Sequence, residues 1–161
     1  NIRRIVRALE VIEITGRPFS ASLPRYEDIA PTVHIALRCE RRLLDKRINE
    51  RARAMFDGDL VEEVEALIDQ GIREGETAPR AIGYAQALAV IGGTMIVPEA
   101  VDSTALATRQ LASRQIKWFR RDPRVHWIDV ALTETGQCTD SERSRLTLQA
   151  WELVCTRRGV A

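Results

Sequence analysis

Only two short stretches of this chain read as β-strands, and they lie far apart in it. "TVHIALRC" (32–39) is β-branched at its start and preceded by Pro31, and "VHWIDV" (125–130) is the second. Between and around them, apolar residues recur at helical spacing. Two short strands cannot build an independent sheet core. The pair is therefore expected to join strands that lie elsewhere, and the segment itself to be mostly α with one or two strands.

The helices carry their own punctuation. "IRRIVRALEVIEITGRP" places Ile2, Ile5, Val6, Leu9 and Ile12 on one face and is stopped by Gly16 and Pro18. A second helix spans 40–56 and turns at "DGD" (57–59). A third, 60–71, closes at Gly71. A fourth, 80–93, ends at Gly92-Gly93. A long fifth helix lies within 97–121 and is stopped by "DP". The sixth, 139–159, has Thr139 or Asp140 as N-cap and Gly159 at its end. There is no internal repeat and no low-complexity tract.

A chain of 161 residues is about one domain and can bury a sizeable core. Its net charge of +1 announces no polyanion partner, but the distribution is uneven. Residues 1–60 hold 12 basic and 9 acidic groups, 61–100 hold 2 and 7, and 101–130 hold 6 and 3. Of 24 cations only Lys46 and Lys117 are not Arg. GC-rich codon usage and phosphate recognition by the guanidinium fork both account for that bias. Cys39, Cys138 and Cys155 form no C-x-x-C pair, which argues against a zinc site or a disulfide framework and fits a reducing cytoplasm. No apolar run approaches membrane-spanning length, and no signal peptide stands at the start. The opening "NIRRIVRALEV" is already amphipathic and reads as the middle of a protein.

Four features invite a chemical reading. Arg3, Arg4 and Arg7 fall within about 100° of the first helix, opposite its apolar stripe. Arg109, Arg114, Lys117, Arg120 and Arg121 span roughly 140° of the fifth. No carboxylate lies between Arg109 and Arg121. That face is either solvated or a polyanion site; Trp118 is expected to pack inward, and His126 and Trp127 to be core. In the second helix Arg47 and Arg51 fall beside Leu44, Ala54 and Met55. A semi-buried Arg needs a partner, either an internal carboxylate or a bound phosphate. "PRAIGYAQAL" (79–88) sets Gly83 early in a helix, where packing or a close ligand explains it equally, and Tyr84 could stack on a base. No G-x-x-x-x-G-K-[ST] loop, H-E-x-x-H or nucleophile elbow occurs. On these residues alone the chain is an Arg-rich helical polyanion binder without a catalytic centre.

Four stretches in order, "RRIVRALEVIEITGRP", "RINERARAMFDGDLVEEVEAL", "AIGYAQAL" and "TRQLASRQIKWFRRDPRVHWID", resemble the C-terminal portion of the bacterial tRNA dimethylallyltransferase (tRNA isopentenyltransferase) family. The resemblance runs from residue 1 to about 130. It implies a P-loop kinase-like α/β fold in the complete protein. It also implies transfer of a dimethylallyl group from dimethylallyl pyrophosphate to N6 of the adenosine 3′ of the anticodon, with Mg2+ assisting the pyrophosphate. Residues 1–31 would end a helical tRNA-binding insertion and its connection, 32–130 would be the C-terminal part of the catalytic core, and 131–161 a C-terminal helix. The family's tRNA contacts fall on Arg3, Arg4, Ile5, Val6 and Arg7, and on Arg80, Ala81, Ile82, Gly83, Tyr84 and Ala85. Some relatives carry a basic residue where this chain has Ala85. Arg51, with Arg47 one turn before it, is assigned to the pyrophosphate, and the basic face of the fifth helix to the channel or the tRNA backbone. The phosphate loop and general base are expected upstream, so the segment alone is expected to be inactive. The complete protein is expected to be a cytoplasmic monomer bound to the tRNA anticodon stem-loop, not to a membrane. The alternative is a non-catalytic Arg-rich RNA-binding module.

Overall fold

Gly16 ends the first helix as its position requires. In the computed structural model, which describes residues 2–19 and 26–158, helix α1 spans Ile2–Thr15. Gly16 takes φ +65 and donates its N–H to the Ile12 carbonyl at 2.8 Å. Residues 1–30 form one compact unit and 31–161 a second. The apolar stripe of α1 is regular but uncovered: Ile5 and Leu9 are each 60% exposed.

In the second unit the two strands find each other. β1 (His34–Arg38) and β2 (Val125–Asp129) pair in parallel, from His34 opposite Val125 to Arg38 opposite Asp129. Among the described residues no further strand joins them. Parallel pairing needs a long crossover. Helices α2 (Arg41–Asp57), α3 (Leu60–Ile68), α4 (Tyr84–Ile91) and α5 (Val97–Phe119) supply it, with 3₁₀ turns at Ile72–Glu74 and Ala78–Arg80. Both carboxyl ends then lie on one side. There Arg38 donates to Asp129 through two bonds, 2.6 and 2.8 Å.

The crossover packs around two small cores. Phe56, Leu60, Val64, Ala87 and Ala100 join α2, α3, α4 and the start of α5. Ile48, Ala52 and Ala105 join α2 to α5, and with Ala52 and Ala105 each 3% exposed, the small side chains let the two backbones approach closely. Helix α4 begins at Tyr84, later than its apolar pattern suggests. Gly83 sits there at φ +97, its N–H bonded to the Gln86 side chain at 2.9 Å. A Cβ on it would lie 3.1 Å from the Met55 methyl. The demand for glycine is thus met by backbone conformation and packing.

Helix α6 (Asp140–Arg158) is fastened by its first turn. Thr139 is the N-cap, its hydroxyl accepting the Glu142 N–H at 3.2 Å. The Glu142 carboxylate, instead of closing a capping box, accepts the Ala131 N–H at 2.7 Å and the Arg145 guanidinium at 2.6 and 2.7 Å. Arg145 also donates to the Asp129 carbonyl at 2.7 Å, which ties α6 to the end of β2. The stop expected at Gly159 lies outside the described residues.

The Arg145 hydrogen bonds, and then the Ala131 N–H, hold the Glu142 carboxyl down at about 2. Asp122, bonded by the Arg124 side chain and backbone, is likewise held at about 2. Both folded pKa values lie below their unfolded ones. Each contribution is therefore whole above the ordinary carboxylate range and is lost as pH falls through about 2. Glu142→Gln should lower Tm at neutral pH, and the gap to wild type should narrow between about pH 4.5 and 2. A gap that stays constant across that range in thermal melts would contradict the account.

Candidate substrate cavity and nucleic-acid interface

An open cavity of about 980 Å3 lies in the second unit, bounded by β1, β2, α2, α5 and the start of α6. Its location follows from topology. In parallel α/β arrangements ligands collect beyond the carboxyl ends of the strands, and Arg38, Cys39 and Val130 of this wall stand there. Much of the lining is apolar, including Ile35, Leu44, Ile116, Trp127, Leu132 and Leu146.

Six cations share that wall. Three are neutralised: Arg38 by Asp129, Arg41 by Asp45 at 2.9 Å, and Arg143 by Asp140 at 2.5 Å. Arg47, Lys117 and Arg120 have no carboxylate within ion-pair distance among the described residues. Arg47 donates only to the Gly136 carbonyl, at 3.3 Å. Burial pushes the nearby Cys39 thiol up, while the Arg47 charge pulls it the other way. Apolar wall and unpaired cations together suit an amphiphilic anion.

The two arginines singled out on α2 separate here. Both are exposed, not semi-buried, and among the described residues neither has the internal ion pair that burial would have demanded. Arg47 lines the cavity; Arg51, one turn on, does not. The expected arc on α5 divides as well. Arg109 turns toward α2, where its guanidinium donates to the Asn49 side-chain oxygen. Lys117 and Arg120 face the cavity, and Arg114 and Arg121 are exposed. Trp118 is not packed inward: it is 66% exposed, because the last turns of α5 present that side to solvent. His126 is exposed on β2 and not core, whereas Trp127 is half-buried in the cavity wall.

The two stretches matched to tRNA contacts differ in character. Arg3 and Arg4 are exposed without a hydrogen-bonding partner among the described residues, Arg7 is paired with Glu10 at 3.3 Å, and Ile5 and Val6 are exposed beside them. In the second stretch Arg80 and Ala81 are exposed, Ile82 and Ala85 are half-buried, and Gly83 is buried. The Tyr84 hydroxyl is committed to the Glu63 carboxylate, which raises the phenol pKa. The cavity itself was not legible in the sequence, since Cys138, Arg143 and Leu146 reach it from a segment that carries no motif. Among the described residues no cluster of three or more His, Cys, Asp or Glu could hold a metal. No helix among them is long and apolar enough to cross a membrane.

Known proteins place this arrangement. The family model for IPP transferase matches residues 1–122. The tRNA dimethylallyltransferase of Streptomyces avermitilis is 54% identical over 140 residues, 85% of this chain and 45% of that protein. That of Streptomyces coelicolor is 54% identical over 152 residues, 94% of this chain and 47% of that protein. The chain thus spans about half the length of the curated relatives it matches. The crystal structure of the full-length tRNA isopentenylpyrophosphate transferase from Bacillus halodurans superposes with a TM-score of 0.67 at 31% identity, covering 99% of this chain and 48% of that one. The tRNA delta(2)-isopentenylpyrophosphate transferase from Staphylococcus epidermidis gives 0.64 at 28%, covering 94% and 49%. With the model match extending from the arginine-bearing helix α1 through the whole crossover, the chain belongs to the IPP transferase family.

Proposed function

We propose that the complete protein transfers a dimethylallyl group from dimethylallyl pyrophosphate to N6 of the adenosine 3′ of the anticodon, and that this segment supplies cationic and apolar walls for the donor and basic surfaces for tRNA. The observation that carries the reading is the cavity in which Arg47, Lys117 and Arg120 stand unpaired beside an apolar lining. A prenyl pyrophosphate is an anion with an apolar tail. The relatives are named as enzymes, which disfavours a non-catalytic RNA-binding module.

In the reaction the N6 amine forms a bond to the allylic carbon, the carbon–oxygen bond breaks, and pyrophosphate departs with the electron pair. The amine proton goes to a base that the upstream half would provide. Negative charge gathers on the leaving oxygens, so fixed guanidinium groups stabilise the transition state more than the ground state. Arg47 offers two parallel donors to those oxygens, and Arg51 adds positive field from one turn away. Any Mg2+ would travel with the pyrophosphate, whose oxygens suit a hard cation. The protein would work as a cytoplasmic monomer on the anticodon stem-loop.

Among the described residues Arg3 and Arg4 have no partner, and each would neutralise a phosphate. In the full-length enzyme, Ala at either should lower the salt slope of tRNA binding by roughly 0.7–0.9. Arg7, already paired with Glu10, should give less. Unchanged affinity in the triple Ala variant would remove α1 from the interface.

The donor site is tested on transfer itself. Arg47→Ala should lower turnover of labelled dimethylallyl pyrophosphate by about 10²-fold or more, with tRNA affinity nearly intact. Arg47→Lys should recover only part, because the planar fork is lost. Arg51→Ala should cost less than Arg47→Ala. Wild-type turnover in both Ala variants would take the pyrophosphate out of this cavity.

A further inference from the structure

Arg47 reaches the cavity from α2, and among the described residues one hydrogen bond orients its guanidinium: Nη1 donates to the Gly136 carbonyl at 3.3 Å. That carbonyl belongs to a tight turn between β2 and α6. The Gly136 N–H closes the turn onto the Thr133 carbonyl at 2.8 Å, and the Thr133 N–H donates to the Gln137 carbonyl at 2.9 Å. The Gln137 N–H donates in turn to the Thr133 hydroxyl, at 3.1 Å. Gly136 stands at φ +74, the left-handed residue that such a turn needs. It is buried against α2: a Cβ there would lie 3.3 Å from the Leu43 carbonyl oxygen and 3.4 Å from the Arg47 Cβ. A side chain at this point would push turn and helix apart.

The turn holds two successive cations of α2. Lys46 donates to the Glu134 carbonyl at 2.8 Å and Arg47 to that of Gly136. Both acceptors are neutral backbone groups. A carbonyl dipole orients a guanidinium without cancelling its charge, whereas a carboxylate in the same place would do both. The turn does carry a carboxylate, on Glu134, but that group is committed to Arg42 at 2.9 Å. A loop that merely covered α2 would act by apolar burial, yet Glu134, Thr135 and Gln137 are exposed. The contact is polar and directional, so it sets geometry more than it adds stability.

We propose that Gly136 is a positioning residue for the transfer reaction: turn 133–137 clamps α2, and the Gly136 carbonyl aims the Arg47 guanidinium, its charge intact, at the pyrophosphate. The proposal rests on the assignment of Arg47 to the pyrophosphate and adds the group that sets its aim. Catalysis is sensitive to such aim, since a misplacement of about 1 Å can cost about 10²-fold.

The test measures kcat and KM for dimethylallyl pyrophosphate in the full-length enzyme, at a temperature where circular dichroism shows each variant folded. Gly136→Ala should lower kcat roughly three- to tenfold, with KM and tRNA affinity little changed, because a misaimed charge is missed mainly in the transition state. Thr133→Val removes the hydroxyl that closes the turn and adds no atom against the helix. It should give a smaller loss of the same kind, and it carries the same test if Gly136→Ala does not fold. The deciding measurement is the cycle with Arg47→Ala. A positioning residue acts through Arg47, so either turn variant added to Arg47→Ala should cost nothing more. A loss that persists undiminished in the Arg47→Ala background would mean that the turn only supports the fold, and would overturn the proposal. Wild-type kcat in both turn variants while Arg47→Ala is impaired sinks this proposal alone. Wild-type turnover in Arg47→Ala sinks it together with the donor-site reading.

Discussion

The parallel pairing of β1 with β2 organises the second unit. Five residues of each strand meet in register although the whole crossover separates them in sequence. Closing so long a loop costs chain entropy, and the helical cores around Val64 and Ala105 offset it. The pairing sets both carboxyl ends side by side, where Arg38 and Asp129 are linked by two hydrogen bonds. From there the Asp129 carbonyl holds Arg145, and Arg145 holds Glu142, so the placement of α6 depends on the same strand end. The cavity exists because α2, α5 and the start of α6 converge on this one edge.

Charge compensation then separates paired arginines from unpaired ones. Arg38, Arg41, Arg42, Arg143 and Arg145 are each matched to a carboxylate. Among the described residues, Arg47, Lys117 and Arg120 face the cavity without a matching carboxylate, and Arg3, Arg4, Arg114 and Arg121 are exposed without one. Like charges on one surface repel, and an anionic substrate relieves that repulsion. The same residue type thus stands in two settings, and only the structure tells them apart.

Element type was legible from periodicity and stop residues: all six helices and both strands stand where the pattern places them, with ends shifted by a few residues. The cap of α6 was readable to within one residue, as Thr139 or Asp140, because both side chains suit an N-cap, and the structure selects Thr139. Orientation was less legible. A helical wheel shows which residues share a face but not where a partner stops. Trp118, on the apolar-seeming side of α5, lies past the part of the helix that Ala105 and Ala112 bury against α2. Arg51 failed the same way, being on the flank of the apolar stripe yet exposed. The strand pairing was missed because each strand alone looked like an orphan, and pairing across so many residues leaves no local signal.

The central claim is that these residues form one wall of a catalytic site whose other parts lie in the upstream half. It is tested most directly by assaying incorporation of labelled dimethylallyl pyrophosphate into unmodified tRNA, first with purified residues 1–161 and then with the upstream half supplied. The segment has positioned cations but no phosphate loop and no identified base, and both are needed to cradle the pyrophosphate and take the amine proton. The account predicts no transfer by the segment alone and transfer once the upstream half is added. Robust turnover by residues 1–161 alone would contradict it.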